Sequence, residues 1–179
     1  KSIYNVYNIL AAWSVCSLAG VDKETMASVI NNYILKNGRM VRFTLGEHHG
    51  TLLTSKHENS VAYDTNLNYI ARAKAPCQAL IIVDAISRKY FTGETSWLWD
   101  IDFNQLNCQS VRQVVLCGKY VNDLALRFDF TDIPPEKIAR FDTVAQAAEA
   151  LRDSGEEELY VVTCFSDRDK LLSLVQLDQ

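Results

Sequence analysis

The sequence predicts an α/β chain, a mostly parallel sheet with flanking helices preceded by a helical hairpin. Three observations carry that prediction. Apolar residues recur at helical spacing through residues 1–38 and the pattern then breaks at Asn37-Gly38. Residues 40–55 alternate about a turn-forming stretch. From residue 63 onward, short apolar runs alternate with helical patterns, which favours parallel strands covered by helices.

The elements follow in order. Residues 3–19 place Ile3, Val6, Ile9, Leu10, Trp13 and Cys16 along one helix, closed by Gly20. Asp22 caps a second helix carrying Met26, Val29, Ile30, Tyr33 and Ile34. Residues 40–45 read as a strand, 46–50 as a polar turn and 51–55 as its return strand. Residues 63–74 read as helix and 79–83 as a buried strand. Residues 113–117 are a further strand, and Gly118 leads into a helix over 121–130. Pro134-Pro135 interrupts the chain before a short strand at 138–141 and a helix at 143–152 that Ser154-Gly155 ends. Residues 159–165 are a strand and 167–175 the last helix. The best single boundary lies near Gly38, giving segments 1–38 and 39–179.

Bulk properties narrow the function. The 179 residues suit one domain or one domain with an appended piece. A net charge of −4 argues against a nucleic-acid surface. No apolar run reaches the ~20 residues of a membrane span, and no secretory signal is visible, so a cytoplasmic protein is expected and not an integral membrane one. The chain begins without Met and reads as a fragment. Five cysteines, Cys16, Cys77, Cys108, Cys117 and Cys164, lack Cys-x-x-Cys spacing, so no metal site is expected and reduced core thiols are.

The chemistry sits at the ends of strands. Ligands of doubly wound sheets bind outside the carboxyl ends, here at Val83-Asp84-Ala85, Cys117-Gly118-Lys119-Tyr120 and Thr163-Cys164-Phe165-Ser166-Asp167. Neither Gly-x-Gly-x-x-Gly nor Gly-x-x-x-x-Gly-Lys-Ser/Thr occurs, so this chain alone is not expected to hydrolyse nucleotides. Lys119 is either an anion contact or a solvated lysine. Cys117 and Cys164 precede helices, but His48, His49 and His57 all lie in the hairpin region, so neither thiol has a base placed beside it. His48-His49 reads as part of a polar turn. Lys56-His57-Glu58-Asn59-Ser60 is either an anion-binding cluster or a loop that caps the next helix. The densest segment is Glu94-Thr95-Ser96-Trp97-Leu98-Trp99-Asp100-Ile101-Asp102-Phe103, with two of three tryptophans and three carboxylates. By composition, Trp97 and Trp99 are core anchors and the acids face water.

Three stretches resemble a known family. Residues 3–12 are similar to a "YN-x-YN-x-LAA" helix, residues 95–103 to an "SW-I-WD-x-D/E-F" signature, and residues 117–127 to an "SG-x-R-x-x-D-M-A-L-R" run. In that order they resemble the carboxyl-terminal part of Mur-ligase-like proteins of the MurT type, a subunit of lipid II isoglutaminyl synthase. The resemblance implies a Rossmann-like sheet, with residues 1–38 ending the central domain. It implies ATP- and Mg-dependent amidation of the D-glutamate α-carboxylate of lipid II, with ammonia from a GatD-like glutaminase partner. It further implies an acid lent to the partner's Cys-His pair: Asp100, or Asp102 in the other register. Trp97 and Trp99 would then stand at the partner interface and fix where the acid points. Asn5 or Asn8 would lie near the adenine, and Lys56, His57 and Lys119 near the substrate. A phosphate loop, most of the central domain and its zinc ribbon are missing, so no ligation and no bound cofactor is expected of this chain alone. The chain departs from the family at residues 56–61, 83–86 and Glu94. The departures after the hairpin motivate one alternative, a Mur-ligase-like domain without a glutaminase, and a non-catalytic interaction domain is a further reading.

Overall fold

A computed structural model describes residues 6–33, 39–56, 59–85, 94–155 and 158–178. The chain divides into two compact units, Lys1–Gly38 and Arg39–Gln179. In the first, α1 (Val6–Leu18) and α2 (Lys23–Asn32) are joined by a turn at Gly20, where φ is +81°. Val21 N–H donates to Cys16 O at 3.0 Å, closing α1. Asp22 caps α2, its carboxylate accepting from Thr25 N–H at 2.8 Å. Helix α1 buries none of its residues and exposes Tyr7, Leu10, Val15 and Leu18.

The second unit is a single sheet with helices on both faces. Its strands are β1 (Met40–Leu45), β2 (His48–Ser55), β3 (Cys77–Ile82), β4 (Val111–Cys117), β5 (Ile138–Phe141), β6 (Glu158–Cys164) and β7 (Gln176–Leu177). Among the described residues they lie in the order β5-β4-β3-β6-β2-β1-β7. The five strands from β5 to β2 are parallel; β1 pairs antiparallel with β2 and with β7. The helices are α3 (Ser60–Ala71), α4 (Val121–Phe128), α5 (Val144–Arg152) and α6 (Phe165–Leu172). One face of the sheet packs Tyr63, Leu67 and Ile70 of α3 and Leu124, Ala125 and Phe128 of α4. The other packs Val144, Ala147, Ala148 and Leu151 of α5 and Leu171 of α6. The central strands are buried on both sides, which is why β3 reads as an unbroken apolar run after Gln78.

Some sequence-based boundaries move. The hairpin turn is only Gly46-Glu47, with Gly46 at φ +60°, so His48 and His49 belong to β2 and not to a polar turn. His48 is fully buried, its Nε2–H donating to Leu151 O at 2.7 Å, while His49 faces solvent. The return strand also joins the parallel sheet through β6. Helix α3 begins at Ser60, because Asn59 caps it by accepting from Ala62 N–H at 2.9 Å. The last helix ends at Leu172, since the chain turns back to add β7 to the edge beside β1.

Candidate functional site

Strands β3 and β6 are parallel neighbours whose continuations pass to opposite faces of the sheet. The chain after β3 reaches the α3/α4 face through Trp97 and Leu98; the chain after β6 becomes α6 on the other. Their carboxyl ends therefore form the switch-point crevice of the sheet. Asp84, Asp167, Lys170 and the Lys119 backbone meet there. Asp84 N–H donates to Oδ2 of the fully buried Asp167 at 3.0 Å. Asp84 accepts from Lys119 N–H at 2.7 Å and from Lys170 Nζ, which also lies 3.5 Å from Asp167 Oδ1. Burial raises the Asp84 pKa, but the Lys170 and Lys119 hydrogen bonds outweigh it and hold the carboxyl below its ordinary value. Burial likewise opposes charge on Lys170, yet the bond to Asp84 and the Asp167 charge raise its pKa. The cluster ties three strand ends together.

Gly118 makes this closure possible. Its φ is +110°, and a Cβ there would stand 2.6 Å from Val83 O. Cys117, just before it, is a core thiol pushed up to about 12 by burial and by the Asp84 and Asp167 charges. Cys164 is buried and shares a hydrogen bond with Tyr63 OH at 2.9 Å. Burial, and then Cys164, push the Tyr63 hydroxyl well above its usual range.

The Trp-Asp segment forms two short 3-10 turns, Ser96–Asp100 and Phe103–Leu106, lying over α3 and α4. Glu94 accepts from Ser96 N–H at 2.7 Å and starts the first turn. The two tryptophans part company there. Trp97 is 5% exposed and packs on Tyr63 with ring centroids 5.3 Å apart. Its Nε1–H has no hydrogen-bond partner among the described residues. Trp99 is 49% exposed, edge-on to Phe130 at 5.2 Å. Asp100 and Asp102 are both exposed. The backbone between them is held from two helices. Arg127 of α4 donates to Ile101 O at 2.8 Å, and Asp64 of α3 accepts from Asp102 N–H at 2.9 Å.

Within the second unit, Lys119 and Lys56 stand apart from one another. The Lys119 side chain is exposed, its Nζ 5.4 Å from the Tyr120 ring centroid. Lys56 is exposed after β2, three strands from β4, roughly 14 Å away across the sheet. Asn8 is exposed on α1. Asn5 and His57 lie outside the described residues. Among the described residues no three His, Cys, Asp or Glu side chains form a group that could hold a metal. No helix there is long and apolar enough to cross a membrane. Sequence reasoning did not find Asp84 with Lys170, or Asp64; the one local signal was the i,i+3 spacing of Asp167 and Lys170.

Comparison with known proteins gives this arrangement a context. The chain is 26% identical over 165 residues to the lipid II isoglutaminyl synthase (glutamine-hydrolyzing) subunit MurT of Streptococcus pneumoniae, covering 92% of this chain and 36% of that protein. It is 22% identical over 152 residues to the subunit of the same name from Staphylococcus aureus strain COL, covering 85% of this chain and 34% of that protein. The chain thus spans about a third of the length of these curated relatives. In fold it is similar to MurF from Acinetobacter baumannii, with a TM-score of 0.67 at 14% identity, over 96% of this chain and 37% of that one. It is also similar to a UDP-N-acetylmuramoyl-L-alanyl-D-glutamate--2,6-diaminopimelate ligase, with a TM-score of 0.52 at 15% identity, over 91% and 33% of the two chains. The chain thus shares its α/β fold with about a third of each of these two proteins. Residues 57–167, which include the crevice up to Asp167 and the whole Trp-Asp segment, match the family described as MurT ligase C-terminal, and the chain belongs to that family.

Proposed function

We propose that the chain is the carboxyl-terminal part of a cytoplasmic amidotransferase subunit in peptidoglycan synthesis. The full-length protein would use ATP and Mg to activate the D-glutamate α-carboxylate of lipid II. Ammonia from a GatD-like glutaminase partner would convert it to D-isoglutamine. This domain's part is to dock the glutaminase and lend its Cys-His pair an acid, Asp100 or Asp102. Nucleotide chemistry belongs to the portion of the protein beyond this chain. Residues 1–38 fit the end of a central domain, because α1 presents an apolar surface of the kind a larger domain covers.

One observation carries the proposal. Two exposed carboxylates stand on a segment whose backbone is fixed from two helices. An acid lent to another chain needs both properties: access to the partner and a fixed direction. Accepting a hydrogen bond from the partner's imidazole, it would hold the correct tautomer and stabilise the imidazolium as the thiol gives up its proton. Trp99 has the exposure an interface aromatic needs, and Trp97 would set the segment from within. Lys56, His57 and Lys119 remain candidates for substrate contact.

The test is Asp100→Asn, and separately Asp102→Asn, in the full-length protein with its glutaminase. Glutamine-dependent amidation should fall by about 10²-fold or more in one of them. Added ammonium salt should restore the product. Wild-type glutamine-dependent rates in both folded variants would remove the acid-lending role.

A further inference from the structure

The peptide unit between Ile101 and Asp102 is pinned at both of its polar atoms by side chains from different helices. Its carbonyl accepts from Arg127 Nη2 at 2.8 Å, and its N–H donates to Asp64 Oδ1 at 2.9 Å. The guanidinium of Arg127 also stands 5.5 Å from the Trp99 ring centroid and 5.7 Å from that of Phe103. Arg127 therefore touches residues 99, 101 and 103, alternating with Asp100 and Asp102. From this we infer that Arg127, assisted by Asp64, is the positioning residue for the acid that the segment presents. The inference rests on the acid-lending reading above.

Core packing alone does not account for Arg127. Its Nε is buried with no hydrogen-bond partner among the described residues, which is a cost in free energy. An apolar residue between Trp99 and Phe103 would fill the same space without that cost. What only a guanidinium supplies is a planar group that stacks on rings and donates to a carbonyl at once. Rotation of the pinned peptide changes ψ at residue 101 and φ at residue 102. It would swing the Asp102 side chain and shift Asp100 relative to any partner. A displacement of about 1 Å in a catalytic group costs on the order of 10²-fold in rate. Asp64 matters for the same reason, since the N–H it accepts belongs to the same plane.

The experiment measures glutamine hydrolysis by the full-length protein with its glutaminase, for Arg127→Met, Arg127→Lys and Asp64→Ala. The expected result is a fall in kcat of about ten- to a hundredfold for Arg127→Met, with KM for glutamine within about threefold. Arg127→Lys, which keeps a donor but not the planar stack, should fall between wild type and Arg127→Met. Asp64→Ala should lower kcat in the same direction and covers the case in which Arg127→Met does not fold. Wild-type kcat in all three, while Asp100→Asn or Asp102→Asn is impaired, overturns the inference and leaves the acid-lending reading intact. Equal losses in Arg127→Lys and Arg127→Met, matched by equal losses of thermal stability, also overturn it, because a structural role alone gives that pattern. Wild-type kcat in both aspartate variants overturns the acid-lending reading, and this inference with it.

Discussion

Replacing Gly118 with alanine tests the closure of the switch-point crevice. Gly118 sits at φ +110°, outside the region where L residues are comfortable, which costs an alanine about 1–2 kcal/mol. Its new Cβ would stand 2.6 Å from Val83 O and 2.7 Å from Val83 C, both backbone atoms at the end of a central strand. Val83 O already accepts from Tyr120 N–H at 3.0 Å, and Val83 N–H donates to Cys117 O at 3.0 Å. Moving that peptide away strains or breaks these bonds. Overpacking of this kind adds about 1–3 kcal/mol. The sum is about 2–5 kcal/mol, a large share of the ~5–15 kcal/mol that holds a domain folded. With a urea m-value of about 2 kcal/mol per M, the midpoint should drop by about 1–2.5 M, followed by circular dichroism. Gly155 is the control. Its φ is +117° but a Cβ there meets nothing within 4 Å, so Gly155→Ala carries only the conformational cost. A wild-type midpoint for Gly118→Ala, or equal losses in the two variants, would refute the steric argument.

Three further outcomes are expected. The Asp84–Lys170 pair gives the fold a pH dependence with two limbs. The depressed Asp84 pKa contributes stability above the ordinary carboxylate value of about 3.9, lost as pH falls through its folded value; the raised Lys170 pKa contributes stability below about 10.4, lost as pH rises through its own. The melting temperature of Asp84→Asn should therefore fall less steeply than wild type at both extremes, and parallel curves would contradict this. Trp97→Ala should destabilise by about 3–5 kcal/mol in chemical denaturation, whereas Trp97→Phe should cost about 1–2 kcal/mol because the buried indole N–H has no acceptor among the described residues, and the half-exposed Trp99→Ala should cost less than about 1 kcal/mol. In a thiol titration of the native protein, the partly exposed Cys16 and Cys108 should react, while the buried Cys77, Cys117 and Cys164 should react only after unfolding; fast reaction of Cys117 would contradict its environment.

Periodicity located most elements because it reflects which face each segment buries. The unbroken run at 79–83 and the Asp22 cap are local signals, and a strand and a helix stand where they put them. What escaped depends on partners distant in sequence. Strand β7 has two residues and exists through pairing with Phe43 and Thr44. His48 reads as polar turn, yet is buried because its ring meets a carbonyl 103 residues away. The crevice joins Asp84 to Asp167 and Lys170 across 83 and 86 residues, a separation no local pattern encodes. The Trp-Asp motif does not encode which of its side chains turn inward. In a 3-10 turn successive residues are about 120° apart, so Trp97 and Trp99 cannot share a face, and one goes to the core while the other goes to solvent.

As proposed above, a carboxylate of this domain completes the catalytic group of another chain. The most direct test is the rate of glutamine hydrolysis by the glutaminase partner alone, with the full-length protein, and with Asp100→Asn or Asp102→Asn in that protein. The wild-type protein should stimulate hydrolysis, and one aspartate variant that still binds the partner should lose that stimulation by about 10²-fold or more. Full stimulation by both variants would contradict it.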